Sequence, residues 1–236
     1  MATPLPRVFS WPKLFTWPWA RDAASAPAIP PAAPAGPADA ARPGATKPRL
    51  TEADFNAAAQ ALGCEVAAVK AVCEVEAPRG GFNPDNTPVT LFEGHKFYQY
   101  TAGRYAVQAP DLCFPKWTRQ FYGKTWQQEQ ARLQRAMALD RDAALMSASW
   151  GKFQIMGFNH HVCGFDTAQA FTNAMYQSEG AQLQAFVRFV QTAGLALALK
   201  RQDWAGFAYG YNGPAYAENH YDTKLAAAFN NLKETA

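Results

Sequence analysis

Two glutamates, Glu76 and Glu93, are the residues of this chain whose types and spacing point most directly to chemistry. Glu76 ends a segment in which Val66, Val69 and Val72 recur at helical spacing, and it falls on the same apolar face. A carboxyl group on such a face loses hydration, which raises its pKa and can keep a proton available for general acid catalysis. The alternative is that Glu76 lies at a frayed helix end and reaches water.

Glu93 is the candidate for a second carboxylate. It follows Glu76 by seventeen residues, in a segment (88–98) that is rich in β-formers and short enough for a strand or hairpin arm. A hairpin placed directly after the helix could fold back across a cleft and bring the two carboxylates face to face. Glycoside hydrolysis uses such a pair: one acid protonates the leaving oxygen, and the other stabilises the transition state, activates water or attacks directly.

Other roles for Glu93 and other candidates for the second carboxylate stay open. Glu93 could instead form a surface ion pair with one of two nearby basic side chains, Lys96 or Arg79. The reserve candidates for the second carboxylate are Asp85 and Glu74.

The elements that must position these residues are mostly helical. The Pro and Gly residues of the segment 77–82 cannot continue a helix, so the helix is predicted to stop at Glu76. Thr51 resembles a helix cap and Gly63 a helix end. Strand is predicted only around residues 88–100. Further helices are predicted over 125–146, 167–179, 181–193, 203–209 and 215–232.

Four segments follow one another in a recognisable order: Val75 to Phe82, Leu91 to Phe97, Ser149 to Phe158 and Tyr209 to Gly213. In this order they resemble the lysozyme-like superfamily of goose-type lysozymes and lytic transglycosylases. The closer resemblance is to the N-acetylmuramidase domain of bacteriophage endolysins, and it covers roughly residues 51–234.

The resemblance implies a mostly α (α+β) fold: a lysozyme-like helical domain with a small β-hairpin beside the catalytic helix. It also implies a peptidoglycan hydrolase that cuts the β-1,4 bond between N-acetylmuramic acid and N-acetylglucosamine, with Glu76 as acid and Glu93 as base, stabiliser or nucleophile. The substrate partner would be a peptidoglycan glycan strand.

The same resemblance suggests residues that bind the substrate. Gln154 would lie in the sugar cleft near the acid, and Trp150 would contribute to the same site. Tyr211 would donate a hydrogen bond near the acid or the N-acetyl group, and Asn212 would hold a loop. Each has a structural alternative, because apolar runs such as the one around Trp150 are usually core, and the Tyr-Asn pair precedes a helix-ending Gly213.

Ala77 stands where lytic transglycosylases usually carry serine after the acid, which favours the muramidase branch. The fate of the sugar nevertheless stays open, since an N-acetyl group can assist a single acid. The alternatives are a lytic transglycosylase that forms 1,6-anhydro ends and a non-catalytic peptidoglycan-binding phage or secretion component.

The composition divides the chain into three parts. Residues 1–21 are aromatic and basic, residues 22–50 form an Ala/Pro-rich linker, and residues 51–236 form the domain. The first 50 residues hold eleven of the 17 prolines and six Lys or Arg against two Asp, so the net charge of +3 belongs to this disordered tail. The domain gives no electrostatic argument for nucleic acid. Residues 7–21 could contact a membrane or a delivery partner, or have no fixed role.

Cofactor and metal chemistry are not predicted. The four cysteines lack Cys-x-x-Cys spacing, and whether they form disulfides is open. A monomer is expected. No cleavable secretion signal is visible, so synthesis in the cytoplasm would precede action on the cell wall, in the periplasm, after holin-type release or delivery by a secretion apparatus.

Overall fold

The computed structural model describes residues 46–76 and 80–235, with the side chain of Glu76 outside the described part. The predicted N-terminal aromatic segment and all but the end of the predicted linker also lie outside the described residues. Within the described residues, no helix combines the length and the apolar character that crossing a membrane requires.

The described chain is mostly helical, with one small sheet, which confirms the predicted fold class. The helices are α1 (Glu52–Leu62), α2 (Val66–Glu76), α3 (Gly94–Tyr100), α4 (Trp126–Leu139), α5 (Arg141–Met146), α6 (Ala168–Met175), α7 (Glu179–Thr192), α8 (Ala196–Lys200), α9 (Trp204–Asn212) and α10 (Tyr221–Glu234). The strands are β1 (Thr90–Phe92), β2 (Ala148–Trp150) and β3 (Ile155–Met156), and 3₁₀ turns cover Gly157–Asn159 and Pro214–Asn219.

Local signals set several helix ends as predicted. Thr51 and Asp54 form a reciprocal capping box at the start of α1, and Gly63 ends that helix in the left-handed conformation (φ 65°). The helix predicted over 125–146 is instead two helices, because Asp140 is extended and its side chain caps α5 through the amide of Ala143.

The strand predicted over 88–100 is largely wrong. Only Thr90–Phe92 is strand, and the chain turns at Glu93 into α3. The sheet has the order β1-β2-β3, with both pairs antiparallel, and Leu91 pairs with Ser149. The partner strands therefore come from the Ser149 to Phe158 segment, for which no strand is predicted, and the sheet joins residues 90–92 to residues 148–156.

One hydrophobic core runs from α1 and α2 through the sheet to α7 and α9. Stacked and edge-on aromatic pairs fill its centre, where Phe186 lies against both Phe153 and Tyr211. The helix α2 also packs along α10, through Ala68, Ala71 and Phe229. The turns of α2 that precede Glu76 are therefore anchored by apolar contacts.

The four cysteines are free thiols, and Cys73 of α2 is buried in the core. Burial raises the pKa of its thiol from 9.0 to about 12. A thiol whose pKa is raised on folding ionises first in the unfolded chain as the pH rises. We therefore expect the free energy of unfolding to fall between about pH 9 and pH 12, by up to about 1.4 kcal/mol per pH unit for this group.

Urea unfolding at several pH values checks this prediction. The variant Cys73→Ala is expected to flatten the slope, whereas Cys64→Ala, at a half-buried thiol, should change it less. An unchanged slope in Cys73→Ala would contradict the prediction.

Candidate active site

The helix α2 ends at Glu76, as the Pro/Gly-containing segment after it predicts. Cys73, one turn earlier, lies close enough to Lys152 and Glu179 for both charges to influence its pKa, although burial dominates that pKa. The last turn of α2 is therefore near the turn between β2 and β3 and near the start of α7.

Glu93 lies directly after β1, where it is the residue that precedes α3. It is only 3% exposed, and within the described residues it forms no ion pair with Lys96, while Arg79 lies outside them. Its Oε2 accepts a hydrogen bond from the Tyr122 hydroxyl at 2.7 Å, and His95 Nδ1 lies 3.3 Å from the same oxygen, outside hydrogen-bond geometry. The Trp117 indole donates to Tyr122 at 3.1 Å. The carboxylate is thus fixed in one orientation by a chain of donors.

Tyr122 stays a hydrogen donor throughout the neutral range. Burial, and then the adjacent Glu93 carboxylate, raise the pKa of its hydroxyl well above the usual range. The hydroxyl therefore holds the Glu93 side chain by a hydrogen bond without itself ionising.

A buried ion pair on α4 holds the end of β1 in place. Arg132 donates to both oxygens of Glu129, at 3.0 and 2.9 Å, and to the Phe92 carbonyl at 3.3 Å. The Glu129 carboxylate in turn accepts the amides of Phe92, at 3.4 Å, and of Gly123. The pair joins the backbone next to Glu93 to the backbone next to Tyr122.

The turn between β2 and β3 is organised by Gln154. Its amide nitrogen donates to the carbonyls of Val89, at 3.2 Å, and Gly151, at 2.8 Å, and its oxygen accepts from Ser149 at 2.8 Å. Gln154 itself has φ 47°. Because both amide protons are used by the backbone, only the oxygen has capacity left for a sugar. The predicted sugar contact of Gln154 stays a prediction.

Trp150 is a core residue. Its side chain is 1% exposed and its indole donates to the Leu145 carbonyl at 3.1 Å. The structure therefore favours the core alternative for Trp150, and its predicted contact with substrate stays a prediction.

The Tyr-Asn pair ends α9, as the capping alternative predicts. The Tyr211 side chain is 2% exposed and its hydroxyl donates to the Phe153 carbonyl at 2.8 Å, which ties α9 to the β2–β3 turn. Asn212 is also buried. Their predicted contacts with substrate stay predictions.

Sequence reasoning missed Tyr122 and two polar residues of α7, Glu179 and Gln182. The last two carried a usable signal, since they lie on the same helical face as the buried Phe186 and thus repeat the pattern that singled out Glu76. Tyr122 lies in a loop, where spacing carries no such signal. In the described part of the chain, no group of three or more His, Cys, Asp or Glu side chains could hold a metal ion.

A mostly helical domain with a small three-stranded antiparallel sheet is the fold expected of a glycoside hydrolase of the lysozyme type. Comparisons with known proteins agree. The N-acetylmuramidase family matches residues 65–233, and the chain belongs to this family.

One solved structure with the same fold is the crystal structure of the Burkholderia AP3 phage endolysin, with a TM-score of 0.73 and 44% sequence identity. The match covers 79% of this chain and 72% of that chain. No curated protein matches the chain. The protein is thus a peptidoglycan hydrolase that acts on the bacterial cell wall.

Proposed function

We propose that this enzyme cleaves the β-1,4 bond between N-acetylmuramic acid and N-acetylglucosamine, with Glu76 as the general acid. The observation that carries the proposal is the position of Glu76 as the last residue of α2, in a chain that belongs to the N-acetylmuramidase family. A helix that ends at its acid can present the carboxyl group to a cleft while its preceding turns stay packed in the core.

In the proposed reaction, Glu76 gives its proton to the glycosidic oxygen as the bond to the anomeric carbon breaks. Positive charge then develops on the sugar ring. A water molecule adds to the anomeric carbon and gives a proton to the Glu76 carboxylate, which restores the acid, and the product is a reducing muramic acid end. Proton transfer by a positioned carboxyl group contributes about 10²–10⁴-fold to the rate of such a step.

Glu93 acts in this proposal as an electrostatic stabiliser. Its burial and its hydrogen bond from Tyr122 hold the side chain in one orientation, which favours a fixed group over a mobile nucleophile. Fixed charges inside a protein interact strongly with charge that develops nearby, because little water screens them.

Analysis of the products tests the proposed reaction. Purified peptidoglycan is digested with the enzyme, reduced with borohydride and examined by mass spectrometry. Reducible muramic acid ends are expected. Unreducible 1,6-anhydro ends would make the enzyme a lytic transglycosylase, and intact glycan bound by the protein would make it a binding component.

We expect Glu93→Gln to lower kcat about 10–100-fold, because the amide keeps the shape and the acceptor for Tyr122 but loses the charge. The rate of release of soluble fragments measures the effect. Asp85→Asn, at an exposed reserve carboxylate whose side chain accepts from Thr87, should leave the rate unchanged. Full activity of Glu93→Gln would remove Glu93 from the reaction.

The proposal also covers the route by which the protein reaches the cell wall and its oligomeric state. Release by a holin, as a phage endolysin, fits the chain, and delivery by a secretion apparatus is the alternative. The enzyme is proposed to act as a monomer, with residues 7–21 free to contact a membrane or a delivery partner.

A further inference from the structure

Two buried polar side chains of α7 connect the segment that follows Glu76 to the turn between β2 and β3. Glu179 is 3% exposed and Gln182 is 1% exposed. Buried polar groups need hydrogen-bond partners, and most of the partners here are backbone groups of these two segments. Neither side chain belongs to the catalytic pair.

Glu179 fixes the chain just beyond α2. One carboxylate oxygen accepts the amide of Gly81 at 2.7 Å, and the other accepts the amide of Leu50 at 3.2 Å. The Glu179 amide donates to the Pro48 carbonyl at 3.0 Å. The Glu179 carboxylate therefore holds Gly81, which is the fifth residue after Glu76, and Leu50, which leads into α1.

Gln182 holds both segments with a single amide. Its oxygen accepts the Lys152 amide at 2.6 Å, and its nitrogen donates to the carbonyls of Met175, at 2.9 Å, and Gly81, at 3.4 Å. A Cβ atom at Gly81 would overlap this amide, and one at Gly151 would lie 2.6 Å from its Cδ. Each of the two segments therefore approaches the Gln182 amide closely at a glycine, and the amide sets the distance between the segments.

The connection continues through the strand region. The Gly81 carbonyl accepts the Val89 amide at 3.0 Å, and the Val89 carbonyl accepts the Gly151 amide at 2.8 Å and the Gln154 side chain at 3.2 Å. A displacement of the Gln182 amide would therefore move the chain after Glu76 and the turn that carries Gln154 together.

We infer that Gln182 and Glu179 are positioning residues, which hold the end of α2 and the β2–β3 turn in the arrangement that cleavage requires. This inference rests on the proposed function, with Glu76 as the acid. The two side chains are buried against backbone, so neither is placed to contact the glycan itself, and we expect their loss to lower kcat more than it changes KM. A displacement of about 1 Å at a reacting group can cost on the order of 10²-fold in rate.

The test is Gln182→Met in the full chain, which keeps the length of the side chain but removes its hydrogen bonds. With soluble glycan strands as substrate, kcat is expected to fall about 10–100-fold while KM stays within about twofold. Circular dichroism sets an assay temperature at which the variant is fully folded. Gln191→Met is the matched control, because Gln191 lies on the exposed side of the same helix and donates to the Ala61 carbonyl. Its kcat should equal that of the unmodified enzyme.

A folded Gln182→Met with unchanged kcat, or with a loss that appears only in KM, would overturn the inference. If Gln182→Met does not fold, Glu179→Gln replaces it: this variant keeps an acceptor for Gly81, and we expect a fall in kcat of roughly 3–10-fold, with unchanged kcat again overturning the inference. Glu76→Gln is measured alongside. If it is inactive while the α7 variants keep full kcat, only the inference fails; if it is fully active, the proposed function fails.

Discussion

Replacing Glu76 by Gln is expected to abolish cell-wall lysis while the protein keeps its fold. The amide cannot donate the proton that the leaving oxygen needs, and general acid catalysis is worth about 10²–10⁴-fold in rate. The helix should persist, because the apolar contacts of α2 with α1 and α10 come from its earlier turns. The measurements are the release of reducing ends from purified peptidoglycan and the thermal unfolding temperature.

The same helix offers a matched control. Glu74 is exposed and lies two residues before Glu76, so Glu74→Gln makes the same chemical change without touching the proposed acid. Its rate should equal that of the unmodified enzyme. Activity in Glu76→Gln comparable to Glu74→Gln would refute the assignment of the acid, whereas loss of activity in both would point to a general effect of charge on this helix.

The position of Glu76 could be predicted from the sequence because both of its signals are local. Helical spacing places it on the apolar face, and proline and glycines stop the helix directly after it. Helix caps such as Thr51 are local in the same sense, since a single side chain satisfies backbone groups three residues away. These features follow from the chain's immediate chemistry, whatever the rest of the fold does.

The surroundings of Glu93 could not be predicted in this way. The β-formers around it favoured a longer strand, but Phe97 of the same segment is buried as part of α3, against Phe92 and Tyr105. The strand partner of β1 lies near residue 149, some 58 residues away, and its pairing leaves no local pattern. Tertiary packing overrides a weak local preference for strand in such a case.

The residues that orient the site depend on the same long-range contacts. Tyr122 reaches Glu93 from a loop, and Gln182 reaches Gly81 across more than a hundred residues of sequence. A buried glutamine on an apolar helical face is visible in the sequence, but the backbone groups it binds are not. Sequence reasoning could identify the candidate acid, while only the structure identifies what holds it in place.

The largest expected effect on stability comes from Arg132→Leu. This change leaves the Glu129 carboxylate buried without its cation, and breaking a buried pair in this way costs about 3–5 kcal/mol. For a domain of this size, such a loss lowers the unfolding temperature by roughly 6–20 °C. Thermal unfolding followed by circular dichroism measures it.

Arg135→Leu is the control, one turn further along α4, because Arg135 pairs with Asp111 at the surface. There the hydrogen bond from Arg135 lowers the pKa of Asp111, but exposed pairs contribute only about 0–1 kcal/mol. When folding lowers the pKa of a carboxyl group, the stability that this gives is lost only as the pH falls through the lowered pKa. The small contribution of the Asp111–Arg135 pair to the free energy of unfolding should therefore be fully present at neutral pH. Equal losses of stability in the two variants would show that Glu129 and Arg132 do not behave as a buried pair.

A double variant separates the cost of an unpaired charge from the contribution of the pair itself. With Glu129→Gln and Arg132→Leu together, neither position of the pair carries a buried charge, and the single amide oxygen can still accept one of the two backbone N–H groups, that of Phe92 or that of Gly123. Because replacing both members of a buried pair is often close to neutral, while one backbone N–H group loses its acceptor, the double variant should recover part of the stability lost in Arg132→Leu. If the double variant regains stability but its kcat lies below that of the unmodified enzyme, the ion pair serves to orient Glu93 and Tyr122. If its stability and its kcat both match those of the unmodified enzyme, the part of the pair in the fold is confined to neutralising its own charges.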